Sequence, residues 1–296
     1  MALTERLPVA ATAEGQRRAT GSLSANLRAV YIIWYRDLIR YVRDRFRLVA
    51  SLAQPLLYLI IFGTGLSSSL RGAGGGFSAG GSISYIQFLF GGVIGMAVLF
   101  SSMFSAMSIV WDREFGFLKE ILVAPIDRWS VAVGKTLGGA TQAWIQGAIL
   151  LVLAPVAGVK LTLLSVAELV PLIFILAFGL TALGVAVASR MHSMQGFQGI
   201  MNFLMMPMFF LSGALFPLRG LPGWMTVLTR LDPAAYGLDP LRRVVLSGTN
   251  IPSQVLDKLG LTIGGQVLPV ALEAAVMMAF GVLMLSFAIF NFRVRD

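Results

Sequence analysis

Long apolar segments recur along this chain and constrain its fold more than any other feature. A helix that crosses a bilayer needs roughly 20 mostly apolar residues. Segments of this kind lie at about 48–66, 83–110, 131–157, 165–188, 197–217 and 267–290. The chain is 57% hydrophobic, which is far above the level of a soluble domain. The sequence therefore predicts an all-α membrane protein whose six transmembrane helices form one domain, residues 48–296.

The basic residues predict how these helices are oriented. With six spans, most of the 23 Lys and Arg residues fall on the same side as both termini. Cytoplasmic loops carry the excess of Lys and Arg, so both termini are predicted to be cytoplasmic. The polar tail, residues 1–23, lacks the apolar segment of a cleaved signal peptide, and we expect it to be retained. The net charge of +9 follows from the same bias and does not indicate nucleic-acid binding.

Residues 24–47 are predicted to form an amphipathic helix that lies in the membrane interface. At about 100° per residue, one narrow stripe of this helix is basic and the opposite side is apolar. The basic stripe consists of Arg36, Arg40, Arg43 and Arg47, and Trp34 belongs to the opposite, apolar side. Two roles stay open, a general membrane anchor and a specific contact with a partner subunit.

A short charged segment, residues 112–128, interrupts the apolar sequence between the second and third spans, and about 112–124 of it is predicted to form a short helix. In a helix, Phe115, Leu118 and Leu122 share one face, which suits a groove on a soluble partner. We call this segment the charged island, and its alternative is an interfacial hairpin without a partner. The residues that we assign to the contact are Glu114, Phe115, Gly116, Phe117, Leu118, Lys119, Glu120, Leu122, Pro125 and Arg128.

Residues 218–266 are too polar to span a membrane and too apolar for a plain linker. Pro222 and the pair Asp232-Pro233 are typical of helix starts, so we predict two short amphipathic helices that lie at the outer leaflet or dip into it. Two acids, Glu168 and Glu273, lie near the outer ends of spans. An acid inside a span indicates a functional or structural polar contact, and this applies to Glu273 more than to Glu168.

Catalytic patterns in the chain are incomplete. Residues 76–80 match the nucleophile-elbow pattern but lie in a Ser/Gly-rich loop, without a nearby histidine. Gly134-Lys135-Thr136 resembles the end of a phosphate-binding loop, but Trp129 occupies the position of its first glycine. We therefore expect no nucleotide site and no enzyme activity, and we expect Lys135 to extend towards the membrane surface. The chain has no cysteine and one histidine, so no metal site is predicted.

Two segments resemble ABC-2 type permeases, the membrane subunits of ABC exporters. The first is the charged island, with Glu114, Gly116-Phe117-Leu118, Pro125 and Arg128, although the family usually has Thr at the position of Phe117. The second runs over residues 210–218 and 221–242, and carries Asp232-Pro233 where the family commonly has Asn-Pro. The order of these segments along six predicted spans is similar to the drug and nodulation-factor exporter branch.

The resemblance implies a permease subunit of an ATP-driven exporter that moves an amphiphilic drug, lipid or glycolipid out across a prokaryotic cytoplasmic membrane. It implies a second permease copy in a homodimer, and a separate ABC ATPase that holds ATP and Mg and contacts the charged island as its coupling helix. A polysaccharide exporter and a self-sufficient secondary transporter or channel are the alternatives. Candidate residues of the substrate path are Phe100, Phe203, Met206, Phe209, Phe210, Tyr236 and Glu273.

Overall fold

The computed structural model describes residues 22–72, 84–115, 126–218, 220–248, 260–263 and 266–294. Within these ranges the chain is almost entirely helical, which confirms the predicted all-α class. One two-residue ladder, β1 (Thr262–Ile263) with β2 (Gln266–Val267), is antiparallel. The helices are α1 (Leu23–Arg43), α2 (Arg45–Gly72), α3 (Tyr85–Ser105), α4 (Met107–Glu114), α5 (Arg128–Val152), α6 (Leu163–Ala188), α7 (Met194–Leu211), α8 (Gly223–Leu231), α9 (Pro233–Ser247) and α10 (Val270–Val294), with a 3-10 turn at Ala154–Ala157.

Four helical segments of the described chain are long and apolar enough to cross a membrane. They are Leu48–Leu66, Tyr85–Glu114, Leu163–Ala188 and Val270–Phe292. The chain is thus a multi-pass membrane protein. Helices α5 and α7 occupy the third and fifth predicted spans but carry more polar residues, among them Lys135 and Gln142 in α5. The count of six spans therefore stays a prediction.

The core of the bundle lies around α3 and α6. Helix α6 packs against α3, α5, α9 and α10, and α3 also contacts α2. Nearly every residue of α3 from Phe88 to Leu99 is buried. A Cβ atom added to Gly92 would lie 2.0 Å from the carbonyl oxygen of Ala214, so only glycine permits this contact. The loop that meets α3 there turns at Gly213, which has φ +80°.

The prediction that both short helices are amphipathic surface helices is wrong for the second of them. Helix α8 does expose its apolar face, including Trp224 and Leu231. Helix α9 is instead buried between α3, α6 and α10, from Ala234 to Leu246 along most of its length. Its charged residues are paired inside the protein, which removes the penalty that made a buried position look unfavourable from the sequence.

Candidate functional site

Lys135 lies at the centre of a group of charges at the start of the charged island, and this group is buried except for Arg36. Its Nζ atom is 2.7 Å from Oδ2 of Asp112 and 3.3 Å from Oδ2 of Asp37. Nη2 of Arg36 lies 3.3 Å from Asp37 and 3.5 Å from Asp112. We call these four residues the Lys135 cluster. The Lys135 side chain is only 2% exposed, so the expectation that it extends towards the membrane surface is wrong, because two carboxylates hold it inside.

The Lys135 cluster joins three elements, since Asp37 belongs to α1, Asp112 to α4 and Lys135 to α5. Helices α1 and α5 pack closely because α5 presents glycines to α1. A Cβ atom at Gly134 would be 3.0 Å from the side chain of Ile33. Nε2 of Gln142 donates a hydrogen bond to the carbonyl oxygen of Asp37, at 3.2 Å. Helix α1 is therefore fixed along α5 by polar contacts as well as by packing.

The residues predicted for the N-terminal helix have different environments in the structure. Helix α1 ends at Arg43 with Asp44 as its C-cap, so it is shorter than predicted. Arg47 therefore lies in α2, and its side chain is outside the described residues. Arg40 and Arg43 are exposed, whereas Arg36 joins the Lys135 cluster. Trp34 is half-buried, and its Nε1 donates to the hydroxyl of Thr141 at 3.0 Å.

Most of the charged island lies outside the described residues, which leaves its two ends. Glu114 ends α4 and is exposed. The exposed rings of Trp111 and Phe115 lie together, with centroids 5.6 Å apart. Arg128 begins α5. The predicted contact residues for which the structure gives no description are Gly116, Phe117, Leu118, Lys119, Glu120, Leu122 and Pro125.

Both ends of the charged island are bound to the bundle. At the first end, Nη1 of Arg113 donates to the carbonyl oxygen of Met191 at 2.6 Å, in the turn after α6. At the second end, the N–H of Asp127 donates to Oδ1 of Asn26 at 2.8 Å, and Nδ2 of Asn26 donates back to the Asp127 carboxylate. Nη1 of Arg128 donates to the carbonyl oxygen of Phe292 in α10, at 2.8 Å. The island therefore begins and ends at positions fixed by α1, α10 and the α6–α7 turn.

Sequence reasoning found only some of the residues that make these connections. Arg128 was predicted as a contact residue and Asp112 only as the first residue of the charged island, whereas Asn26 and Asp37 were not singled out and Lys135 was given another role. One signal could have found Asp37 and Asp112: isolated acids beside long apolar segments require a buried partner. The identity of that partner depends on the tertiary packing of α1 on α5, which the local sequence does not specify.

The residues predicted for a substrate path are spread over the structure. Phe100 and Phe209 do meet, with ring centroids 6.2 Å apart. Phe203, Met206 and Phe210 are exposed on α7, by 77%, 53% and 49%. The hydroxyl of Tyr236 donates to the carbonyl oxygen of Arg230, at 2.9 Å. Glu273 is fully buried.

Glu273 belongs to a second buried group of charges, the Asp239 cluster, formed by Asp239, Arg242, Arg243 and Glu273. Oδ1 of Asp239 pairs with Arg242, and Oδ2 lies 3.2 Å from Nε of Arg243. Nη2 of Arg243 is 2.6 Å from Oε1 of Glu273. The charges balance and connect α9 to α10. The structure thus gives Glu273 a structural polar contact. The i, i+3 and i, i+4 spacings from Asp239 are the sequence signal for these pairs.

Two cavities open beside α1. The α1 cavity has a volume of about 460 Å³ and is lined by residues of α1, α3, α4 and α5, including Asp37, Tyr41 and Phe104. The α2 cavity has a volume of about 260 Å³ and is lined mainly by α2 and α3, with Gln146 of α5. Tyr41 and Phe104 line both cavities. The two cavities are therefore neighbours that share these two side chains in their walls.

We expect the free energy of unfolding to depend on pH because of the buried carboxyl group of Asp232. It caps α9, because its Oδ1 accepts a hydrogen bond from the N–H of Ala234 at 2.9 Å. Its Oδ2 is buried without a hydrogen-bond partner among the described residues. Burial raises the pKa of Asp232 from its ordinary value to about 8. A raised pKa contributes stability that is fully present below the ordinary pKa of the carboxyl group, 3.8, and is lost as the pH rises through about 8.

We therefore expect the unfolding temperature of the purified protein to fall between pH 5 and pH 8. This one group lowers the free energy of unfolding by at most about 1.4 kcal/mol per pH unit over that range. Asp232→Asn should flatten this slope, since the amide keeps the cap and carries no proton equilibrium. Tryptophan fluorescence during heating measures the effect at each pH. Equal slopes in the wild type and the variant would contradict the assignment to Asp232.

Comparison with known proteins identifies the family. The model of the ABC-2 type transporter family matches residues 28–246. The transport permease ycf38 of Cyanophora paradoxa is 26% identical over 224 residues, 73% of each chain. Nodulation protein J of Rhizobium meliloti (strain 1021) is 26% identical over 217 residues, which cover 72% of this chain and 80% of that protein. The probable multidrug ABC transporter permease YbhR of Escherichia coli (strain K12) is 26% identical over 178 residues, which cover 57% of this chain and 46% of that protein. The resemblance predicted from the sequence is confirmed, and the chain belongs to the ABC-2 type transporter family.

Proposed function

We propose that this chain is the transmembrane permease subunit of an ATP-driven exporter. Two permease copies would work with separate ATPase subunits, which bind ATP and Mg, and would move an amphiphilic drug, lipid or glycolipid outward. The membrane would be the cytoplasmic membrane of a prokaryote, with both termini and the charged island on the cytoplasmic side. The names of the relatives, a nodulation protein and a multidrug ABC transporter permease, support cargo of this kind.

One observation carries the coupling part of the proposal: both ends of the charged island are attached to several helices. A partner that displaces the island also displaces Arg113, Asp127 and Arg128, and therefore α1, α10 and the α6–α7 turn. The Lys135 cluster adds a buried ionic link from α4 to α1 and α5. ATP binding would drive transport only if the ATPase binds one arrangement of these helices more tightly than the other.

The exposed aromatic pair of Trp111 and Phe115 supports a docking role for the segment beside it. Large apolar side chains at a surface are typical anchors of protein interfaces, and Glu114 next to them supplies a charge for the rim. The same pair could not serve the bundle core, because Phe115 is 67% exposed.

Affinity purification from native membranes tests the proposal directly. The tagged chain is extracted in mild detergent, and the proteins that accompany it are identified by mass spectrometry. We expect a stoichiometric ATPase with Walker motifs. Recovery of the permease alone, repeated after crosslinking in intact membranes, would overturn the exporter assignment and leave ion-coupled transport to be assayed.

Charge reversal at Glu114 tests the docking surface. In Glu114→Lys we expect recovery of the ATPase to fall about tenfold, because a rim charge of the wrong sign repels its partner. Glu168→Lys is the matched control, since Glu168 is also an exposed acid but lies in α6. The ratio of ATPase to permease in the purified complex is the measurement. If Glu114→Lys retains the full ratio and export activity, Glu114 is not part of the contact.

A further inference from the structure

We propose that the α2 cavity is a binding site for the cargo and that Gln146 recognises it. The ligand class is an amphiphile whose apolar part bears an uncharged hydrogen-bond donor, either a hydroxyl or an amide N–H. The word cargo rests on the exporter function proposed above. The binding site itself rests on the cavity and on the environment of Gln146.

The size and lining of the α2 cavity suit a small apolar group. An engineered cavity of about 150 Å³ binds benzene, so 260 Å³ accommodates about ten non-hydrogen atoms. Phe100, Phe104, Met96 and Pro55 supply apolar and aromatic surface. Phe100 was among the residues predicted for the substrate path, and its ring also contacts Phe209.

Gln146 supplies an acceptor whose orientation is fixed. The residue is 3% exposed, and its Nε2 donates to the carbonyl oxygen of Ser51 at 2.9 Å. A carbonyl oxygen only accepts hydrogen bonds, so the amide nitrogen must face Ser51 and Oε1 must face away from it. Oε1 is buried and has no hydrogen-bond partner among the residues that the structure describes. A buried acceptor without a partner is costly, and a donor on a bound ligand would remove that cost.

The charges around the two cavities explain why the donor should be uncharged. The described residues that line the α2 cavity carry no formal charge, so an ion placed there would lack a counter-charge. The neighbouring α1 cavity has Asp37, Arg40 and Asp44 in its wall. An amphiphile in the α2 cavity would therefore have its apolar part and its donor beside uncharged residues, with the charged wall of the α1 cavity on the other side of Tyr41 and Phe104.

Two probes of nearly equal shape test this proposal, 1-naphthol and 1-methoxynaphthalene. Both are close in size to the capacity of the cavity, but only 1-naphthol donates a hydrogen bond. Equilibrium binding of each tritiated probe is measured by scintillation proximity on the full chain in lipid nanodiscs. We expect the wild type to bind 1-naphthol about tenfold more tightly. Gln146→Leu should reduce this ratio to about one, because the acceptor is gone.

Gln142→Leu is the matched control. Gln142 lies one turn before Gln146 on α5 and also donates to a backbone carbonyl, that of Asp37, but it lines the α1 cavity instead. The control should therefore lose a similar structural hydrogen bond and keep the tenfold preference. Phe100→Ala removes apolar surface without touching the acceptor, so it should weaken both probes equally and also keep the ratio.

The outcomes separate clearly. A preference that survives in Gln146→Leu, or that disappears equally in Gln142→Leu, would overturn the role of Gln146. If Gln146→Leu does not yield folded protein, Phe100→Ala decides, because unchanged binding of both probes would overturn the site. The exporter proposal fails by a different measurement, the absence of a co-purifying ATPase, and binding to the isolated permease does not depend on that partner.

Discussion

Lys135→Met is expected to lower the free energy of unfolding by about 3–5 kcal/mol, the usual cost of removing one partner of a buried ion pair. The substitution keeps the length and apolar stem of the side chain but leaves Asp37 and Asp112 facing each other. Arg36 then stays as the one cation of the cluster, 3.3 Å from Asp37 and 3.5 Å from Asp112, and because its side chain is 45% exposed it does not balance both carboxylates. Thermal unfolding of the purified protein in detergent measures the effect.

Lys160→Met is the control for this prediction, since Lys160 is an exposed lysine outside the cluster. We expect it to change the unfolding temperature little. A double variant, Lys135→Met with Asp112→Asn, removes the charge that the single variant strands, so part of the stability should return. Such a rescue identifies a charge interaction, because residues in one ionic network do not contribute additively. Equal unfolding temperatures for Lys135→Met and Lys160→Met would contradict the buried role of Lys135.

The second large effect is expected at Asp239, whose carboxylate faces two guanidinium groups. Asp239→Asn leaves Arg242 and Arg243 with Glu273 as the one acid of the Asp239 cluster, so a buried positive charge stays uncompensated. Oδ2 of Asp239 also accepts a hydrogen bond from the N–H of Leu261, at 2.8 Å. We expect a loss of about 3–5 kcal/mol in the free energy of unfolding.

The same thermal assay measures this loss, with Glu168→Gln as the control. Glu168 is an exposed acid on α6, and neutralising it should change the free energy of unfolding by no more than about 0.5 kcal/mol. If Asp239→Asn behaves like this control, the Asp239 cluster does not hold α9 against α10.

The apolar segments predicted the positions of the long helices well, because length and hydropathy are local properties. They failed for α9, since Arg242 and Arg243 make its sequence look suited to a surface. In the structure Arg242 is fully buried: it pairs with Asp239, donates to the carbonyl oxygen of Gly213 at 2.8 Å, and lies over the ring of Phe88. Asp239 is a neighbour at helical spacing, but Gly213 and Phe88 are distant in the sequence, so hydropathy alone cannot reveal that this side chain is accommodated inside the protein.

Helix α1 shows the same limit at the candidate site. Its amphipathic pattern correctly predicted a helix, but the buried positions are Asn26, Ile33, Asp37 and Tyr41. These residues share one face at helical spacing, and two of them are polar. A pattern that sorts residues by polarity places Asn26 and Asp37 towards water. Only the opposing face of α5, with its glycines and glutamines, explains why that stripe is buried.

The contact between α1 and α5 also sets an order of events during synthesis. Asn26 and Asp127 are 101 residues apart in the chain. At about 5–20 residues per second, the ribosome needs about 5–20 s to make that stretch. Until α5 has been made, Asp37 cannot pair with Lys135 and the face of α1 that carries Asn26 and Asp37 cannot pack against α5. That face therefore stays hydrated until then. Helix α1 is thus translated before α5, but it can reach its final place only after α5 has been made.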